Sequence, residues 1–194
     1  DLGYCIYVRQ TTYDSNGGSA LGATSQSSTT SAVTSTVTFD ANGGTGSMTA
    51  QTSSSAANLT ANTFTRNGYT FGSWNTAANG TGTAYNNQAS YAFTSSVTLY
   101  ARWTANTNNA ITYDNQSATT AQSGGSTLYT SGSPIATIPT TAPLKTGYTF
   151  GGWWTQVSGG GTQVTDGSYT PSPGGVTLYA KWTANTYTVT YNYN

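Results

Sequence analysis

The stretches VTLYARWTAN (Val97–Asn106) and VTLYAKWTAN (Val176–Asn185) lie 79 residues apart and differ only in Arg102 against Lys181. Extended without gaps, Gly68–Thr107 and Gly147–Thr186 agree at 20 of 40 positions, with GYTFG-W-T at one end and VTLYA-WTANT at the other. Such self-similarity limits the chain to tandem units, each of which buries its apolar face within itself or against a neighbour. Upstream, VTFD (Val37–Asp40) matches ITYD (Ile111–Asp114). The second copy is longer between these landmarks, and its surplus falls in the polar stretch SATTAQSGGSTLYTSGSP, where added loop length costs little. After the second WTANT, Val189-Thr190-Tyr191 restarts the VTF pattern. The chain therefore divides into an N-terminal strand (Tyr4–Arg9) with a Ser/Thr/Gly-rich linker over 1–36, repeat 1 over 37–107, repeat 2 over 108–186, and the first strand of a further repeat over 187–194. On this reading the chain is a piece of something longer or a processed product.

Alternation assigns the secondary structure. Val97, Leu99, Ala101 and Trp103 fall on one face of a strand, and Thr98, Tyr100 and Arg102 on the other. One apolar face and one polar face predict antiparallel sheets with a single buried side. Gly72 interrupts the Tyr69–Trp74 strand and predicts a bulge. Asn42-Gly43, Asn67-Gly68 and Asn79-Gly80 supply tight turns. No amphipathic helix stands out, although Ser53–Leu59 has room for a turn or two. The expected fold class is mainly β, α+β at most. Units this small bury only about 60% of their unfolded surface. Cys5 has no second cysteine to pair with and reads as a small buried apolar residue. Aromatic side chains must then supply the core, each removing roughly 150–250 Å² from water.

Charge is sparse: five Lys and Arg, five Asp and Glu, no His, net zero. That gives no electrostatic footprint for nucleic acid. No apolar run approaches the ~20 residues of a membrane span, so direct membrane insertion is not expected. Without His, the usual triads and His-ligated zinc sites are excluded. The few charges nonetheless recur with the repeat: Arg66 with Lys145, Arg102 with Lys181, and Asp40 with Asp114. The Arg102 or Lys181 stem is expected to cover an aromatic, Trp74/Trp153 or a neighbouring Tyr, with a salt bridge to Asp40/Asp114 as the competing arrangement. Asp40 and Asp114 adjoin turns and read as turn caps. A carboxylate pair including Asp114 or Asp166 would be the minimum for glycoside hydrolysis. DANGGTG (Asp40–Gly46) lacks the later acidic ligands of a calcium loop.

The order VTFDANGG, GYTFGSW, VTLYARW, and again ITYDNQS, GYTFGGW, VTLYAKW, resembles the Listeria–Bacteroides repeat, also called the internalin B B-repeat family. Copy two departs at Asn115-Gln116-Ser117, where the NGG turn is lost, so its first turn is expected to differ. The resemblance implies a β-grasp-like unit of secreted or surface-anchored bacterial proteins, extracellular at the cell surface. It implies a stalk, spacer or weak binding module rather than an enzyme, with no catalytic site or cofactor to carry over.

The paired aromatics Trp74/Trp153, Trp103/Trp182 and Tyr69/Tyr148 read as architecture. Trp154 is unpaired, since copy one has Asn75 there. If Trp153 is buried, Trp154 points the other way and is expected to be exposed. With Tyr169 it is the candidate surface for stacking on a sugar or a partner protein, against the alternative that it packs on the rest of the molecule. YCIYV and YTVTYNYN are strand-like segments suited to pairing with another molecule. The leading reading is a non-enzymatic structural or spacer segment. The alternative is a carbohydrate- or protein-binding module around Trp154, whose partner would be a host or cell-surface glycan or protein.

Overall fold

A computed structural model describes residues 32–193; the readings of Tyr4–Arg9 and Cys5 lie outside them. Repeat 1 contains β1 (Ser35–Asp40), β2 (Gln51–Ser53), β3 (Ala57–Asn58), β4 (Tyr69–Asn75), β5 (Ala84–Tyr85), β6 (Ser90–Tyr91) and β7 (Val97–Ala105). Repeat 2 contains β8 (Asn109–Asp114), β9 (Leu128–Tyr129), β10 (Tyr148–Gln156), a 3-10 turn (Val157–Gly159), β11 (Gly160–Val164) and β12 (Val176–Ala184). Each repeat forms its own five-stranded sheet, in the order β2-β1-β7-β4-β5 and, reversed, β11-β10-β12-β8-β9. Repeat 1 adds a two-stranded ribbon, β3-β6.

The duplicated VTLYA strand lies at the centre of each sheet. It pairs antiparallel with the GYTF strand, Trp74 opposite Ala101 and Trp153 opposite Ala180. On its other edge it pairs parallel with the opening strand: Val37, Thr38, Phe39 and Asp40 face Val97, Thr98, Leu99 and Tyr100. The same four-residue parallel ladder joins Ile111–Asp114 to Val176–Tyr179. The sheets are thus antiparallel in the main but mixed. A parallel pair needs a long crossover, and everything between the opening and closing strands supplies it.

Two register irregularities follow from glycine. The β4–β7 ladder slips between Phe71 and Ser73, at Gly72, and the β10–β12 ladder slips between Phe150 and Trp153, at Gly151-Gly152. Without the slip, Phe71 and Trp74 would sit on opposite faces. With it, both rings join one cluster, 5.0 Å apart. Ser53–Leu59 makes no helical turn; Ser53 ends β2, and Ala57 and Asn58 form β3. Its Ser-rich residues hydrogen-bond locally instead, with Ser53 Oγ donating to Ser55 O.

Two separate cores result. The first gathers Val37, Phe39, Leu59, Phe64, Trp74, Phe93, Leu99 and Ala101. The second gathers Ile111, Tyr129, Ile135, Trp153, Val164, Leu178 and Ala180. Trp74 and Trp153 are 0% and 1% exposed. Phe39 lies 4.9 Å from Trp74, and Tyr113 lies 4.9 Å from Trp153. Such tilted pairs add about 0.5–1.5 kcal/mol each beyond the area they bury. Trp103 and Trp182 flank the cores, and their indole N–H groups donate to Ala41 O and Asn115 O.

The opening turn keeps its shape where its sequence changes. Asn42 and Gly43 have φ of 46° and 86°; Gln116 and Ser117 adopt 50° and 62°. Asp40 Oδ1 accepts from Asn42 N at 2.7 Å, and Asp114 Oδ1 accepts from Gln116 N at 2.9 Å. Two consecutive left-handed residues that are not glycine each carry a steric cost. Replacing Gln116-Ser117 by Asn-Gly is therefore expected to raise the stability of repeat 2 by about 1 kcal/mol, read as an upward shift of its denaturant midpoint.

Candidate functional site

Trp154 lies on the face of β10 turned away from the second core, half exposed rather than open. Its indole donates to Gly151 O at 3.0 Å, and Lys181 Nζ stands 4.8 Å over its ring. The ring is thus covered in part by the cation of the neighbouring central strand. Tyr169 packs against the second core instead, and its carbonyl accepts from Ile135 N. The two residues do not form one aromatic platform.

The recurrent cation on the closing strand braces the hairpin beside it. Arg102 Nη1 donates to Ala78 O at 2.7 Å, and its guanidinium lies against Gly80. Lys181 lays its stem against Gly151 and Gly159. Gly80 and Gly159 are themselves repeat-equivalent. The cation meets Trp154 in repeat 2 and the peptide turn in repeat 1, so neither buried tryptophan, Trp74 or Trp153, is its partner. Asn75, the counterpart of Trp154, is buried and holds its turn by donating to Gly80 O and Gly82 O and accepting from Ala77 N and Gly82 N. In repeat 1 an amide holds the turn, while in repeat 2 the Lys181 stem lies against Gly159 and its ammonium over the Trp154 ring.

The other paired cation belongs to the GYTF corner. Arg66 Cζ lies 4.0 Å over the Tyr69 ring, and Lys145 Nζ lies 4.7 Å over Tyr148 and 5.9 Å over Trp182. Lys145 also donates to Gln116 O at 3.1 Å. A polar cleft of about 570 Å³ opens here, lined by residues including Asp114, Gln116, Lys145, Tyr148 and Trp182. The ammonium stands over both rings, so the cleft offers a cation and hydrogen-bonding groups rather than a bare stacking surface.

The described carboxylates are held by backbone. Asp40 and Asp114 accept from turn amides, and Asp166 Oδ1 accepts from Ile138 N at 2.7 Å. Among the described residues, no three His, Cys, Asp or Glu side chains gather as metal ligands. Asp166 acts at a distance on Tyr113, whose phenol is pushed above its ordinary 10.0, first by burial and then by that carboxylate.

The junction between the repeats was not legible as a site. Asn109, buried in β8, donates to Asn106 O, Tyr129 O and Ser131 Oγ and accepts from Gly174 N. Ser131 N donates to Asn106 O. Gly68 is pressed against Pro173 and Ser131, and the Tyr69 hydroxyl stands where a side chain on Gly132 would begin. Apart from the strand residues Tyr69, Asn109 and Tyr129, these residues sit in a linker and three loops whose polar composition reads only as turn; Asn67-Gly68 was the one local signal.

Two tests follow. Arg102→Ala is expected to lower repeat 1 stability by about 1 kcal/mol through the lost hydrogen bond and stem contact, with Arg102→Lys recovering part of it in denaturant melts. The raised Tyr113 value means that the folded form favours the neutral phenol. Its contribution is intact below pH 10.0 and is lost as pH rises toward the folded value. Tyr113→Phe, which installs the residue of repeat 1, is expected to flatten the alkaline fall of repeat 2 stability, followed by melts from about pH 9 upward.

One comparison with known proteins agrees with this duplicated architecture. No curated protein and no solved structure shows significant similarity to the chain. The Listeria-Bacteroides repeat domain model matches it twice in tandem, over residues 36–102 and 110–181, which is well over half its length. Each match runs from the opening strand to the closing one, and the chain belongs to the Listeria-Bacteroides repeat domain family.

Proposed function

We propose that the chain is a non-enzymatic spacer segment of an extracellular bacterial surface protein, serving as an adhesin stalk or part of a surface filament. Family membership supports the coarser reading of a surface-protein repeat module. The observation that carries the finer one is the junction. Only Asn106–Asn108 separates β7 from β8, and the connection is hydrogen-bonded through Asn106, Asn109 and Ser131. A link this short and this tied down fixes the direction from one unit to the next, which a spacer needs and a flexible tether lacks. The recurring residues support the same reading: the tryptophans fill cores or bond backbone carbonyls, the aspartates cap turns, and the cations brace hairpins and corners.

Spin labels at exposed Thr81 and Thr162, each changed to Cys with Cys5→Ser, test it. A rigid spacer gives one narrow interlabel distance, and Asn109→Ala broadens it. A broad distribution in the parent chain would defeat the reading.

A binding role around Trp154 has one observation in its favour: the unrepeated indole is half exposed on the outer face of its sheet. A glycan array with Trp154→Ala as control decides it, and Tyr169, packed on the core, is not expected to contribute.

A further inference from the structure

The two copies build the same corner and differ in what covers it. In repeat 1, Asn106 N donates to Gly68 O at 2.9 Å and Thr70 Oγ1 donates to Asn106 Oδ1 at 2.8 Å. In repeat 2, Asn185 N donates to Gly147 O at 2.9 Å and Thr149 Oγ1 donates to Asn185 Oδ1 at 2.7 Å. A cation stands over the corner tyrosine in both. Gly68 and Gly147 even share a φ of +79°. Yet a Cβ on Gly68 would collide with Pro173 and lie 2.6 Å from Ser131 Oγ, whereas a Cβ on Gly147 would meet nothing within 4 Å. Tyr69 rests on Gly132, while Tyr148 is 43% exposed.

The segment that leaves the open corner is uncovered as well. Tyr187, Val189 and Tyr191 alternate as the apolar residues of β1 and β8 do, and they are 77%, 70% and 76% exposed. An apolar row of this kind beside an empty copy of an occupied corner has one natural complement.

We propose that the Gly147–Tyr148–Asn185 corner is a docking surface for a further tandem unit of the repeat-2 type. This builds on the spacer reading and names the partner that extends the array. The partner must offer what Ser131, Gly132 and Pro173 offer to repeat 1. Repeat 1 itself does not. Ser35 pairs with Ser53 as Asn109 pairs with Tyr129, but the loop after Ser53 has no left-handed residue to match Gly132, whose φ is +78°. Ser35 also lacks the amide that ties Asn109 to both sides. In a second copy of this chain, the repeat-2 edge is already covered by that copy's own repeat 1. The occupant is therefore a unit with a free repeat-2 edge, joined in tandem.

The test extends the full chain by placing residues 108–193 a second time after Thr186. Gly68→Ala and Gly147→Ala carry the same backbone strain, so their difference isolates the interface. In the parent chain, Gly68→Ala is expected to lower the melting midpoint by about 5 °C more than Gly147→Ala does. In the extended chain the two shifts should become equal, and the added counterpart of the Ser131 amide should exchange as slowly as the Ser131 amide. An unchanged Gly147→Ala shift, or a freely exchanging amide in the added unit, overturns the proposal. Dimerisation of the parent chain in sedimentation, abolished by Tyr148→Ala, overturns the choice of occupant. Interlabel distances across the first junction are read separately, so a rigid first junction with an empty second corner rejects this inference and leaves the spacer reading standing.

Discussion

The contact on which each unit depends is the buried indole of its GYTF strand. Trp74 and Trp153 each sit on the central strand's alanine, Ala101 or Ala180, and touch rings from the opening strand and from their own. The small alanine opposite makes room for the large ring. Three strands thereby share one hydrophobic anchor, and the glycine slip in the GYTF strand brings Phe71 or Phe150 to the same side. Both indole N–H groups are buried without a protein acceptor. An unmet donor of this kind costs about 1–3 kcal/mol. The same donor is left unmet in both copies, on the ring that anchors each core.

Much of this was readable in the residues. The central strands announced themselves by alternation, the interruption at Gly72 by its missing side chain, and the paired tryptophans by their recurrence. The neighbour order was not readable. Alternation in VTLYARW states that one face is buried, not that the strand before it in space runs parallel and comes from sixty residues upstream. The first turn of copy two was misjudged for a related reason. Loss of NGG removes the residues that prefer a left-handed pair, but the strands on either side and the Asp114 cap still impose it on Gln116 and Ser117.

Packing explains where the two candidate aromatics lie. Trp154 does face away from Trp153, as strand geometry requires. Exposure depends on neighbours across the ladder, and the Lys181 stem and ammonium come from the adjacent strand to lie over the ring. Tyr169 differs for the opposite reason: a loop residue, it is turned inward against the core. The junction was hidden because single polar residues such as Asn109, at the head of β8, and Ser131, in a loop, carry no period. Their meaning lies in hydrogen bonds that form only once both units are in place.

The parallel ladder between opening and closing strands has a consequence for a molecule under tension. Each unit's chain enters through one of these strands and leaves through the other, and the two lie side by side pointing the same way. Traction on the two ends drags them past each other lengthwise, so the rungs of the ladder are loaded together rather than peeled one by one. The resistance of such a clamp is set by how fast the whole ladder fails, a kinetic quantity, and not by the modest equilibrium stability of a small domain.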